Sequence, residues 1–161
     1  MGLSSDDVTA LRPGLFAGRT ALVTGGGSGI GQVIATRFAA LGANVVVAGR
    51  HLDTLAATAR EIEAAGGACL PHATDIRQVE QVDALVAAAL ARFGRLDFLV
   101  NNAGGQFLAR PSEISDRGWR AVVDLNLNGT WNVLSRVGPH LVAQGFGAVV
   151  NAVHLYVFGR G

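Results

Sequence analysis

A chain of 161 residues has room for one domain with a sizeable core, and half of its residues are hydrophobic. Its 13 cationic side chains, all arginine, stand against 12 acidic ones, a balance that leaves no basic surface for nucleic acid or acidic lipid. The one cysteine, Cys69, excludes an internal disulfide, fits a reducing compartment and reads as a small core residue. No apolar run approaches the roughly 20 residues of a membrane helix, and the opening MGLSSDDVTALRPG lacks the apolar stretch of a secretory signal. A soluble, cytoplasmic protein is expected, without nucleic-acid or membrane partners, and no metal site is assigned.

In chain order, residues 1–18 read as a polar, mobile leader and 19–161 as one domain. Short apolar runs then alternate with longer amphipathic ones, as in a parallel sheet wrapped by helices. Strands are predicted at 20–24, 44–48, 68–72, 97–100 and 148–152, with solid apolar cores that suit burial on both faces. Val79, Val82, Leu85, Val86, Ala89, Leu90 and Phe93 recur at three- and four-residue steps and mark one buried helical stripe. A helix over 116–141 carries Trp119, Val122, Val123, Leu127, Trp131, Leu134 and Val137, too many large apolar groups for one narrow face, so part of it is expected to meet another subunit. The predicted class is α/β, a doubly wound parallel sheet (Rossmann) that is incomplete, with about five strands and helices on both faces.

The loop after the first strand, Thr24-Gly25-Gly26-Gly27-Ser28-Gly29-Ile30-Gly31, reads as a nucleotide-phosphate cradle. Glycines 25, 29 and 31 allow a sharp turn, bring main-chain N–H groups close to a pyrophosphate and seat the next helix on the sheet. Ser28 could add a hydroxyl donor. At the end of the second strand, Arg50 stands where an acidic residue would accept from a free ribose 2′-hydroxyl. An arginine there can pair with a 2′-phosphate instead, which favours NADP(H) over NAD(H); an ordinary exposed arginine is the alternative. Asp75-Ile76 could receive an adenine, the carboxylate accepting from its amino group and the aliphatic chain covering the ring, or Asp75 could cap the following helix. Asn101-Asn102-Ala103-Gly104-Gly105 lies at the carboxyl edge of the sheet, where ligands of such sheets bind, or forms a plain turn.

TGGGSGIG, the Asp75-Ile76 pair, NNAGG at 101–105 and the LNLNG string holding Asn126 occur in the order and spacing of the short-chain dehydrogenase/reductase family, which the chain therefore resembles. PGLFAGRTALVTGG and NNAGGQFL are most similar to the peroxisomal trans-2-enoyl-CoA reductases, with the 2,4-dienoyl-CoA reductases as near relatives. The resemblance implies an NADPH-binding Rossmann fold, hydride delivery to the double bond of an acyl-CoA thioester and, in the complete protein, a homo-oligomer. It implies further that Gly25, Ser28, Gly29, Ile30 and Gly31 hold the diphosphate, Arg50 the 2′-phosphate, and Asp75 and Ile76 the adenine. Asn102 would sit under the ribose, beside Ala103 and Gly104. Asn126 would be the family's structural and catalytic asparagine, which interrupts its helix to hold a proton-relay water.

Other family features are absent. A serine is implied at the end of the fifth strand, where His154 stands; the imidazole could polarise a thioester carbonyl or merely fill the place. A tyrosine and a lysine four residues apart are also implied, yet the chain contains no lysine. Tyr156 precedes Arg160 by that step, but on the strand exit, and a forked guanidinium is unlike the point charge of an ammonium. The chain is accordingly expected to be cut after its fifth strand, leaving that strand as an edge, and to turn over little substrate. A non-catalytic nucleotide-binding fragment and an NADP-dependent carbonyl reductase or alcohol dehydrogenase are the alternatives.

Overall fold

The computed structural model describes residues 11–106 and 110–152. Its centre is β1 (Thr20–Thr24), five residues all buried, flanked by β2 (Asn44–Gly49) and β4 (Phe98–Asn101). β3 (Cys69–Ala73) and β5 (Ala148–Asn151) complete a parallel sheet of order β3-β2-β1-β4-β5. Side chains alternate across it. Leu22, Val46 and Ala48 face a core formed with α3 (Val79–Phe93) and α5 (Gly129–Ala143), while Val23, Val45 and Val47 face one formed with α1 (Gly29–Ala40) and α2 (Leu52–Ala64). Burial on both faces explains why β1 and β2 are written as unbroken apolar runs. β3 is an edge, and Pro71, which has no N–H to donate, is tolerated there.

The predicted strands all form, each bounded within one residue of expectation. The stripe on α3 buries Val82, Leu85, Val86 and Ala89, and Gly94 ends the helix in the left-handed conformation. Cys69 is a core residue, and burial together with the nearby Glu63 charge pushes its thiol up to about 12. The helix expected over 116–141 forms and runs on to Ala143, as α4 (Asp116–Val123), a π-helical turn at Asp124–Asn128 that holds Asn126, and α5. Trp119, Leu127 and Trp131 are each more than 60% exposed, so this stretch does carry more apolar surface than its own domain covers.

Part of the presumed leader is also ordered into the domain. Phe16 places its ring 5.1 Å from that of Phe38 and 4.9 Å from that of Phe98, and its N–H donates to the Leu41 carbonyl. Residues 1–10 lie outside the described residues. Below the sheet, Asp97 is fully buried and accepts from Arg19, Arg95 and the Thr20 main chain, while its carbonyl receives the Ala148 N–H. Those bonds tie the starts of β1, β4 and β5 together. Among the described residues, no helix is long and apolar enough to cross a membrane.

Candidate cofactor site

Strand order reverses between β1 and β4, and the carboxyl ends of the strands open there into a groove of about 350 Å³. Its floor is the glycine turn. Gly25 and Gly29 adopt φ of +68° and +55°, a conformation in which other residues are strained. A Cβ on Gly31 would overlap the Gly25 carbonyl oxygen and stand 2.6 Å from Asn102 Nδ2. Ser28 is extended and makes no side-chain cap, the first turn of α1 has no acidic residue, and the bond from Gln32 N–H to the Ser28 carbonyl opens the helix. Ser28, Ile30 and Gly31 line the groove at the positive end of the helix, where the amides before that bond have no helical partner, while Gly29 lies outside the lining. Paired phosphates fit this end of the groove.

Arg50, leaving β2, lines the same groove, and its guanidinium makes no hydrogen bond or ion pair among the described residues. Beside it, leaving the neighbouring strand β3, lie Thr74, Asp75 and Ile76, with the Thr74 N–H donating to the Gly49 carbonyl. The open alternative for Asp75 is decided against the helix cap: Gln78 is the N-cap of α3, and the Asp75 carboxylate takes the Arg77 main-chain and guanidinium N–H groups instead. Those bonds, with the Arg50 charge nearby, hold its carboxyl below the usual carboxylate range despite partial burial. Ile76 is 4% exposed and rests in the core against Gly129, where a Cβ would come within 2.7 Å of it, so its side chain offers the groove little surface.

The third wall is braced by a residue that the sequence does not single out. Thr24 Oγ1, at the end of β1, accepts the main-chain N–H groups of Asn102 and Ala103, both at 3.0 Å. Asn102 returns its amide to the Thr24 carbonyl at 3.0 Å, so it lines the groove as part of this brace. Asn126, in the π-helical turn, receives the Gly105 N–H at 3.0 Å and donates to the Gly105 carbonyl at 2.7 Å. A Cβ on Gly104 would stand 2.7 Å from Asn126 Oδ1, which explains the glycine at that position.

The short chain dehydrogenase family model matches residues 19–155. The chain belongs to the short-chain dehydrogenase/reductase family. A Caenorhabditis elegans protein named probable 2,4-dienoyl-CoA reductase 3 is 40% identical over 145 residues, which are 89% of this chain and 47% of that protein. Of the two kinds of reductase that the motifs resemble, this relative bears the second name. A solved chain described as a citronellol catabolism dehydrogenase of Pseudomonas aeruginosa is 45% identical with a TM-score of 0.82, over 88% of this chain and 58% of that one. A metagenomic short-chain oxidoreductase solved in complex with NADP is 36% identical, with a TM-score of 0.82 over 88% of this chain and 64% of that one. The chain spans about half the length of the curated relatives it matches.

In this short-chain dehydrogenase/reductase, one groove gathers Gly25, Ser28, Ile30, Gly31, Arg50, Asp75, Ile76, Asn102, Ala103 and Gly104. Asn126 stands behind it, bonded to the loop, while His154, Tyr156 and Arg160 lie outside the described residues. Sequence reasoning misses Thr24, and it misses why the two remaining glycines of the turn are needed. A Cβ on Gly26 would meet Val47 at 2.7 Å, and one on Gly27 would meet Thr54 Oγ1 at 2.5 Å. Five small residues in a row after an apolar strand are the only signal that both sides of the turn are crowded.

Proposed function

We propose that the groove takes NADP(H), and that the chain is the cofactor-binding portion of a reductase acting on the double bond of an enoyl-CoA thioester. The observation that carries the cofactor choice is Arg50: a guanidinium on the groove wall, unpaired among the described residues, at a place where a carboxylate would suit a free 2′-hydroxyl. When bound, the nicotinamide supplies the hydride. The chain's own work is to hold the diphosphate on the turn from Gly25 to Gly31, the 2′-phosphate on Arg50, and the adenine between Asp75 and the wall at Ile76. Asn102, Ala103 and Gly104 shape the ribose side. Asn126 serves proton delivery from the π-helical turn while fixing Gly105. In the complete protein, a second copy covers Trp119, Leu127 and Trp131.

The acyl-CoA part of the reading rests on the NNAGGQFL segment and on the name of the nematode relative. A second reading, reduction of a carbonyl or oxidation of an alcohol with the same cofactor, is favoured by the likeness, at 45% identity, to a protein described as a citronellol catabolism dehydrogenase. Because the 161 residues hold no lysine, binding without turnover is expected of them. Calorimetry with NADPH and NADH tests the cofactor: NADPH should bind at least about tenfold more tightly, a difference of one charge-assisted contact. Arg50→Asp should reverse that order. Equal losses for both cofactors would dispose of the phosphate role, and robust NADPH oxidation with crotonyl-CoA would overturn the expectation of a silent chain.

A further inference from the structure

Arg77 closes one side of the Asp75 carboxylate. Its Nε lies 2.9 Å from Oδ1 and 3.2 Å from Oδ2, its Nη2 2.5 Å from Oδ2, and its main-chain N–H 3.1 Å from Oδ1. The Asp75 main-chain N–H is itself taken by Gln81 Oε1 at 2.8 Å, so backbone and carboxylate are both fixed. Arg77 does not line the cofactor groove; it faces a separate depression shared with Trp119, Arg120 and Asp124. The carboxylate thus stands between the groove and the guanidinium. Each carboxylate oxygen offers about two acceptor directions. Oδ1 takes the Arg77 amide and the shorter arm of the shared Nε–H, whereas Oδ2 takes Nη2–H and only the longer arm at 3.2 Å, which makes Oδ2 the less fully engaged oxygen.

That arrangement also settles a conflict of charge. Arg50 lowers the cost of an anion at this end of the groove, and a bare carboxylate on the neighbouring strand would raise it again. The Arg77 cation neutralises Asp75 from behind. We propose that Arg77 is the positioning residue of a base-reading site: it holds the Asp75 carboxylate in one orientation, so that Oδ2 accepts from the exocyclic amino group of an aminopurine. The inference rests on the reading of this groove as the NADP(H) site. A purine with an oxygen in place of the amino group presents an acceptor to an acceptor, and the site rejects it.

The test titrates the full 161-residue chain with NADPH and with its hypoxanthine counterpart, reduced nicotinamide hypoxanthine dinucleotide phosphate. The unaltered chain should favour the adenine form by about tenfold, the worth of one hydrogen bond to a charged group. Arg77→Met should bring that ratio to about two or below, and Arg77→Lys, which keeps charge without the fork, should recover only part of it. In an Asp75→Asn background, Arg77→Met should leave the ratio where it is, because the effect passes through the carboxylate. A ratio unchanged in either single variant overturns the assignment. Failure of the unaltered chain to bind NADPH overturns the cofactor reading and this inference together, whereas tight binding with no preference between the bases overturns only the inference.

Discussion

At the scale of single residues the glycine turn separates two demands that a motif string merges. Gly31 is required by the protein itself, since its Cβ would collide with a main-chain oxygen and with an amide already bonded to Thr24. Gly29 has open space where its Cβ would project and is strained only by its φ of +55°. Gly31→Ala should therefore lower stability by about 1–3 kcal/mol through overpacking and abolish NADPH binding. Gly29→Ala should cost about 1–2 kcal/mol in backbone strain and, with open space around the added methyl and Gly29 outside the groove lining, should weaken NADPH binding less than Gly31→Ala does. Thermal melts and NADPH calorimetry on the two variants check this, and a Gly31→Ala chain that binds normally would remove the cradle from the argument.

Between elements, the hydroxyl of Thr24 joins the exit of β1 to the loop after β4. Thr24→Val keeps the shape and leaves the Asn102 and Ala103 amides without their acceptor. Each partly buried donor left unpaired costs about 1–3 kcal/mol, so the variant should melt well below the parent and bind NADPH more weakly; an unchanged melt would show that water replaces the hydroxyl. This brace marks where sequence reading stops. Strands buried on both faces announce themselves as apolar runs, and the α3 stripe by its spacing, because burial repeats along an element. A threonine ending an apolar run looks like any strand residue, and its partners lie more than 75 positions away. The Arg77 fork on Asp75 was equally hidden, for a charged pair two residues apart reads as loop polarity. The π-helical turn at Asp124–Asn128 spans only five residues, too few for its period to be told from that of a helix. Only the resemblance placed an interruption at Asn126.

Across the whole molecule, the two edges of the strands do different work. The carboxyl ends leave the groove open to a ligand, and the amino ends are drawn together on the buried carboxylate of Asp97. Arg19 adds to the closure by lying 4.1 Å over the ring of Phe146, just before β5. Burial alone would raise the Asp97 carboxyl, but the Arg95 hydrogen bonds, the Thr20 N–H and Arg19 outweigh it and hold the group below its ordinary 3.8. The unfolded chain thus takes up this proton at a higher pH than the folded one. The stabilisation is whole above 3.8 and is lost as the pH falls through the depressed folded value. Asp97→Asn removes the charge while keeping the size of the side chain. With both arginines more than a third exposed and screened, the cost near neutral pH should be about 1–3 kcal/mol. Melting temperatures followed from neutral pH into the acid range should show the parent falling toward the variant below 3.8, the two curves converging. Parallel curves would mean that Asp97 titrates alike in both states, and that its four hydrogen-bond donors fill space around a group they do not hold charged.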